Sequence, residues 1–259
     1  MWTDTHAHLA DETLFPILDQ IIERATSRGV SRLVCVAVDA ATSTMAKEIA
    51  EKYSSVWASV GIHPNYAHLA TDRDWDTICQ LASHPRVCAL GETGLDLHWD
   101  DCPFAVQQSN FARHIALSRQ TNLPLIIHMR DCESEMVDFL KSQSDGHPMG
   151  GVMHSFSGSS ETGLECLKLG LYVSFAGMLT YKKSQPLRDT AKTIPIDRLL
   201  VETDCPYLSP EPHRSKRPNE PANVVYTGQC LAQTMDIPVT ELAKHTTENA
   251  LRLFWRMDR

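Results

Sequence analysis

Short apolar runs rich in β-branched residues recur near residues 2–6, 33–38, 56–61, 87–91, 124–128, 150–154, 171–176 and 198–202. Each is nearly continuous in hydrophobicity, as expected of parallel strands covered on both faces. Between them the apolar spacing changes to that of a helix. Leu14, Ile17, Leu18, Ile21, Ile22 and Ala25 form one helical face, closed by Gly29. Met45, Ile49 and Tyr53 repeat the pattern, as do Phe111, Ile115 and Leu117. Ser159-Ser160-Glu161 opens another helix that stops at Gly170, and two more are predicted over 221–235 and 239–254. Strand and helix alternate eight times at the spacing of βαβ units. Eight such units predict an α/β protein, a (β/α)8 TIM barrel filling residues 1–259 as a single domain. An open doubly wound sheet would usually carry a Gly-rich turn after its first strand, and Asp4-Thr5-His6-Ala7-His8-Leu9 has none. The Pro-rich, charged stretch from Pro206 to Pro221 follows the eighth strand and is predicted to be a long loop.

Composition narrows the partners. Hydrophobic residues make up 42% and charged residues 22%, which argues against extended disorder. The formal net charge is −8, so a polyanion must be met through a local basic patch or bound cations. The eight cysteines contain no CxxC pair, which disfavours a thiolate zinc site and suits a reducing, cytoplasmic setting. Met-Trp-Thr-Asp-Thr-His lacks the features of a signal peptide, and the longest clean apolar run, Leu33 to Val38, is too short for a membrane span.

The chemistry lies at the strand ends. His6 and His8 end the first predicted strand, and His63 follows the third. Glu92 follows the fourth, His128 ends the fifth, His154 ends the sixth, and Glu202 and Asp204 end the eighth. Side chains alternate along a strand, so His6 and His8 share one side. In a barrel the carboxyl ends of all strands converge on one face, where active sites of this fold lie. A lone strand-end histidine is often a satisfied core residue. Eight coincident metal-capable positions point instead to a polynuclear site. His6, His8 and Asp204 fill one ion's sphere, His128 and His154 serve a second, and Glu92 bridges them. Two ions about 3.5–4 Å apart clamp a phosphoryl or acyl oxygen and acidify a water. Imidazole donors favour Zn, Mn, Fe or Co over Mg, and Zn, Mn, Mg and Co are the candidate cofactors.

The segments DTHAHL, GIHP, GETGLD, HMRD, HSFSG, SFAGMLTYKK, VETDCPYLSP and RPNEPANV, in this order, resemble those of the TatD-type metal-dependent deoxyribonucleases, members of the wider amidohydrolase-like barrels. The resemblance runs from about residue 3 to residue 225. It implies a metal-dependent TIM-barrel hydrolase that cleaves phosphodiester bonds of DNA, often as a 3′–5′ exonuclease on single strands or frayed ends. It also implies that His6, His8, Glu92, His128, His154 and Asp204 are metal ligands, that Glu202 is a site carboxylate behind them, and that His63 lies at the substrate mouth. Ser155, Met129 and an extra Pro218 depart from the family pattern without touching these positions.

Asp204 and Glu92 are the expected catalytic carboxylates, Asp204 accepting or orienting the proton of the attacking water. Arg130 is placed to hold a phosphoryl oxygen, or else to form a structural ion pair with Asp131 or another acid. Lys182, Lys183, Arg214, Lys216 and Arg217 fall on loops after strands seven and eight, and Tyr66 and Tyr207 are candidates for stacking on a base. Two other hydrolase assignments compete: a D-aminoacyl-tRNA deacylase, and an amidohydrolase, lactonase or phosphotriesterase acting on a small molecule. The latter barrels often carry a bridging carbamylated lysine where this chain has Glu92. A binding or scaffold protein would need no full ligand set. The expected substrate is therefore nucleic acid, DNA or tRNA, with no membrane partner and no oligomeric state assigned.

Overall fold

The computed structural model describes residues 1–258. Eight parallel strands follow one another around a single sheet in chain order: β1 (Trp2–Ala7), β2 (Val30–Val36), β3 (Val56–Val60), β4 (Val87–Asp96), β5 (Leu125–Arg130), β6 (Gly151–Met153), β7 (Tyr172–Phe175) and β8 (Leu199–Val201). The ring closes where Ala7 bridges Cys205, with His8 N–H donating to the Cys205 carbonyl at 2.8 Å and Asp204 N–H to the His6 carbonyl at 2.9 Å. Helices α1 (Leu18–Ser27), α2 (Ala40–Lys52), α3 (Asp72–Ala82), α4 (Phe104–Thr121), α5 (Glu133–Ser144), α6 (Ser160–Lys168), α7 (Gln185–Thr193), α8 (Val224–Met235) and α9 (Val239–Leu253) are interleaved with the strands. This is the predicted (β/α)8 barrel.

Two apolar layers follow from the period of two along each strand. Val34 and Val36, Ile126, Val152 and Leu200 point into the barrel, where Phe254 and Met257 from the C-terminal segment pack with them. Their neighbours Leu33, Cys35, Leu125, Ile127, Met153, Leu199 and Val201 face outward onto the helices. Each fully buried aliphatic side chain contributes about 1.5–3 kcal/mol. The same period decides what the barrel mouth presents. Stepping by two from the inward set leads from Ile126 to His128, from Val152 to His154 and from Leu200 to Glu202.

Two local features differ from the expectation. β4 does not stop at Gly91 but continues to Asp96, pairing Thr93, Gly94 and Asp96 with Ile127, His128 and Arg130 of β5 after a register shift. Glu92 therefore lies within a strand rather than beyond one. The first helix begins at Leu18 rather than Leu14, because a 3-10 turn over Phe15–Ile17 carries Pro16, which lacks an N–H. The segment 206–220 is a loop, as expected, bolted down by Asn219 N–H to the Pro206 carbonyl and by Ser209 Oγ to the Lys216 carbonyl.

Candidate metal centre

Glu92, 3% exposed, sits at the middle of the carboxyl-end face. Its two oxygens divide the surrounding imidazoles. Oε2 lies 3.3 Å from His6 Nε2 and 3.6 Å from His8 Nε2, and Asp204 Oδ1 closes that side at 3.7 and 3.4 Å from the same nitrogens. Oε1 lies 2.9 Å from His128 Nδ1 and 2.8 Å from His154 Nε2. The structure thus brings together His6, His8, Glu92, His128, His154 and Asp204, contributed by β1, β4, β5 and the segments after β6 and β8.

The outward ring nitrogens of His8 and His128 are held by hydrogen bonds, while that of His6 has no partner among the described residues. His8 Nδ1 lies 3.1 Å from the Val36 carbonyl, so it carries a proton, and Nε2 is the nitrogen turned to the centre. His128 Nε2 lies 2.8 Å from Asp96 Oδ2, which leaves Nδ1 as the nitrogen turned to the inside. His154 directs Nδ1 toward Glu202 Oε1 at 3.4 Å and Nε2 inward. An outward N–H held by a carbonyl or carboxylate, with a lone pair aimed inward, is the arrangement of a metal-ligating imidazole. The cluster is tight enough for its donors to share cations: His6 Nε2 and His8 Nε2 approach to 3.2 Å, and the His6 and His154 rings stack at 4.0 Å. The donor set, imidazoles with carboxylates between them, fits divalent transition metals.

His63 has the opposite polarity. Its Nδ1 accepts from the Asn65 N–H at 3.2 Å, so the neutral ring carries its proton on Nε2, which points at Glu92 Oε1 from 3.4 Å. It presents a donor to the centre, not a lone pair. Two side chains one turn apart on α4 fix the preceding residue. Asn110 Nδ2 donates to the Ile62 carbonyl at 2.8 Å, and His114 Nε2 accepts the Ile62 N–H at 3.1 Å.

Charge follows burial and neighbours. Burial opposes ionisation of Glu92, but His154, His63 and His128 outweigh it and hold the carboxyl well below its usual range. Burial also opposes ionisation of Asp204, and the hydrogen bond from His8 and the nearby His6 bring it down. Burial works against protonation of His154, yet Glu92 and Glu202 raise it well above the usual imidazole value. A ring carboxylate pair that attracts protons this strongly attracts divalent cations for the same reason.

Glu202 stands behind the cluster, accepting from Ser155 N–H at 2.6 Å. Arg130 lines the mouth, exposed, over the Trp99 ring at 5.7 Å. The alternative pairing with Asp131 is absent among the described residues: Asp131 instead holds His98 at 2.7 Å. Asp96 is a site residue not singled out from the sequence, although it lies four residues past Glu92 in GETGLD. Backbone room for this arrangement comes from Gly94, at φ +139°, where an added Cβ would lie 2.1 Å from the His128 carbonyl oxygen. The mouth opens into a cavity of about 780 Å3.

A model of the family described as TatD related DNase matches residues 3–255. The chain belongs to the TatD family. As a TatD-family protein it is a metal-dependent hydrolase acting on ester bonds. It is 44% identical to the uncharacterized metal-dependent hydrolase YabD of Bacillus subtilis, over 98% of this chain and 99% of that one. It is 31% identical to the 3′-5′ ssDNA/RNA exonuclease TatD of Shigella flexneri, over 91% and 92% of the two chains. Among solved structures, the TatD homologue YJJV of Escherichia coli K12 superposes with a TM-score of 0.92 at 28% identity, covering 98% of this chain and 97% of that one. No helix among the described residues is long and apolar enough to cross a membrane.

Proposed function

We propose that this TatD-family hydrolase cleaves phosphodiester bonds of DNA as a 3′–5′ exonuclease, using two divalent ions drawn from Zn, Mn, Mg and Co. The observation that carries this reading is the division of Glu92 between two imidazole pairs, one completed by Asp204. His6, His8 and Asp204 would hold one ion, His128 and His154 the other, with a Glu92 oxygen turned to each. Ions held there would acidify a water and draw charge from the phosphoryl oxygens. Asp204 Oδ1 accepts the proton of the attacking water. Arg130, which pairs with no acid among the described residues, holds a non-bridging phosphoryl oxygen, and His63 Nε2–H donates to the site. Asp96 and Glu202 keep His128 and His154 in the inward-facing tautomer. The exonuclease name of the Shigella relative supports the choice of substrate.

The test is metal removal and return. Protein stripped with chelator should be inactive, and single additions of Mg, Mn, Zn or Co should restore cleavage of labelled single-stranded DNA. Duplex DNA and D-aminoacyl-tRNA run in parallel. Glu92→Ala should abolish hydrolysis while circular dichroism shows the barrel intact. Most activity surviving in that variant, or deacylation of D-aminoacyl-tRNA without DNA cleavage, would overturn the proposal.

A further inference from the structure

The mouth of the barrel has two sides of opposite character. Loops following β1 to β4 contain no Lys or Arg, but they carry Asp11, Glu12, Asp39, Asp100 and Asp101. Loops following β7 and β8 carry Lys182, Lys183, Arg214, Lys216 and Arg217, all exposed. None of these five makes an ion pair among the described residues, whereas the neighbouring Glu220 is taken by Arg24 at 2.6 Å. In a chain of net charge −8 this is a local concentration of free positive charge. It is also stiff. Glu211 N–H donates to Thr180 Oγ1 at 2.8 Å and ties the two loops together, and the Arg214 guanidinium lies flat on Tyr181 at 4.1 Å. Arg217 carries the wall into the cavity beside Tyr207 and Asp204.

The acidic side has its own feature. Tyr66, after β3, and Trp99, after β4, are 45% and 51% exposed and line the same cavity. Tyr66 leans on His63 at 5.9 Å between ring centroids. Half-exposed rings beside acids repel phosphate but accept the face of a base. We infer that a single-stranded polynucleotide approaches with its backbone across the β7–β8 wall and ends at the metal centre, its terminal base stacked on Tyr66 and Trp99. Apart from Arg130 beside Trp99, a strand running on across the mouth would meet the acids of the β1–β4 loops and no Lys or Arg from them, so the rim admits an end in preference to an internal segment. This inference rests on the nuclease reading above and adds the strand's path and the residues that receive its end.

The test compares a ten-nucleotide thymidylate with bis(p-nitrophenyl) phosphate, a diester too small to reach the wall, over a salt series. In Lys182→Gln/Lys183→Gln/Lys216→Gln, kcat/KM for the oligonucleotide should fall at least tenfold further than for the small diester at low salt. The log–log salt slope should flatten by about 2, near 0.7 for each phosphate no longer neutralised. Removing the same number of cations from outer helices, at Lys168, Lys192 and Lys244, should leave both activities and the slope as they were. Trp99→Leu should raise KM for the oligonucleotide by about tenfold with the slope unchanged, because stacking releases no counterions. Equal losses on both substrates, or an unaltered slope in the triple variant, would overturn the wall. A wild type that hydrolyses the small diester but no oligonucleotide at any salt would overturn the nuclease reading itself.

Discussion

His114 offers a measurable test of how α4 supports the centre. The ring is wholly buried, its Nδ1–H donates to the Asn110 carbonyl at 2.8 Å, and its Nε2 accepts from Ile62 N–H. Protonation would turn that acceptor into a donor facing another donor. Burial, with the Arg113 cation nearby, lowers its pKa from 6.5 to about 4, the hydrogen bond to Asn110 only partly opposing the shift. Because the folded value is depressed, the unfolded chain binds more protons between the two values. The contribution of this group is complete above 6.5 and is lost as pH falls toward 4. Between pH 7 and pH 5 the loss is about 2 kcal/mol, or about 4–8 °C in Tm for a chain of this size. The assay is urea or thermal unfolding, in chelator, of wild type and His114→Gln at both pH values. Glutamine keeps an acceptor for Ile62 without titrating. The variant should be less stable at pH 7, yet lose about 2 kcal/mol less than wild type on acidification. Equal losses in the two proteins would refute the assignment of a neutral, non-titrating His114.

Other consequences are equally direct. Gly94→Ala should cost about 3 kcal/mol or more, since the Cβ collides with the His128 backbone at a φ that disfavours any side chain; a wild-type urea midpoint would contradict this. Asp96→Asn should weaken metal binding about 10–100-fold, read by competition with a chelator, while leaving the fold intact. Arg86 donates to the Ala50 and Tyr53 carbonyls and stacks on Trp57 at 4.4 Å at the far end of the barrel. Arg86→Ala should therefore lower stability by about 2–3 kcal/mol with no change in the hydrolysis rate of the folded enzyme.

The barrel was legible because its strands are buried on both faces and so appear as unbroken apolar runs. The convergence of His6, Glu92, His154 and Asp204 was legible because fold closure gathers strand ends. Helices α3, α5 and α7 were not singled out. In α7 only Thr190 and Ala191 are buried, too little for a periodic apolar face. Asp96 escaped notice because β4 looks finished at Gly91, whereas Gly94 lets the strand run on against β5. The polarity of His63 depends on a local N–H from Asn65, and that of His8 on the Val36 carbonyl of the next strand. Such partners are set by register and turn geometry, which residue identities do not display.

The seam between Ala7 and Cys205 has a consequence for biosynthesis. The first two histidines leave the ribosome early, but the strand pairing that sets Asp204 beside them forms only once the eighth strand has emerged. A polypeptide that ends before the eighth strand therefore has five of the six clustered residues and lacks Asp204. The cluster is complete only when the last strand locks against the first.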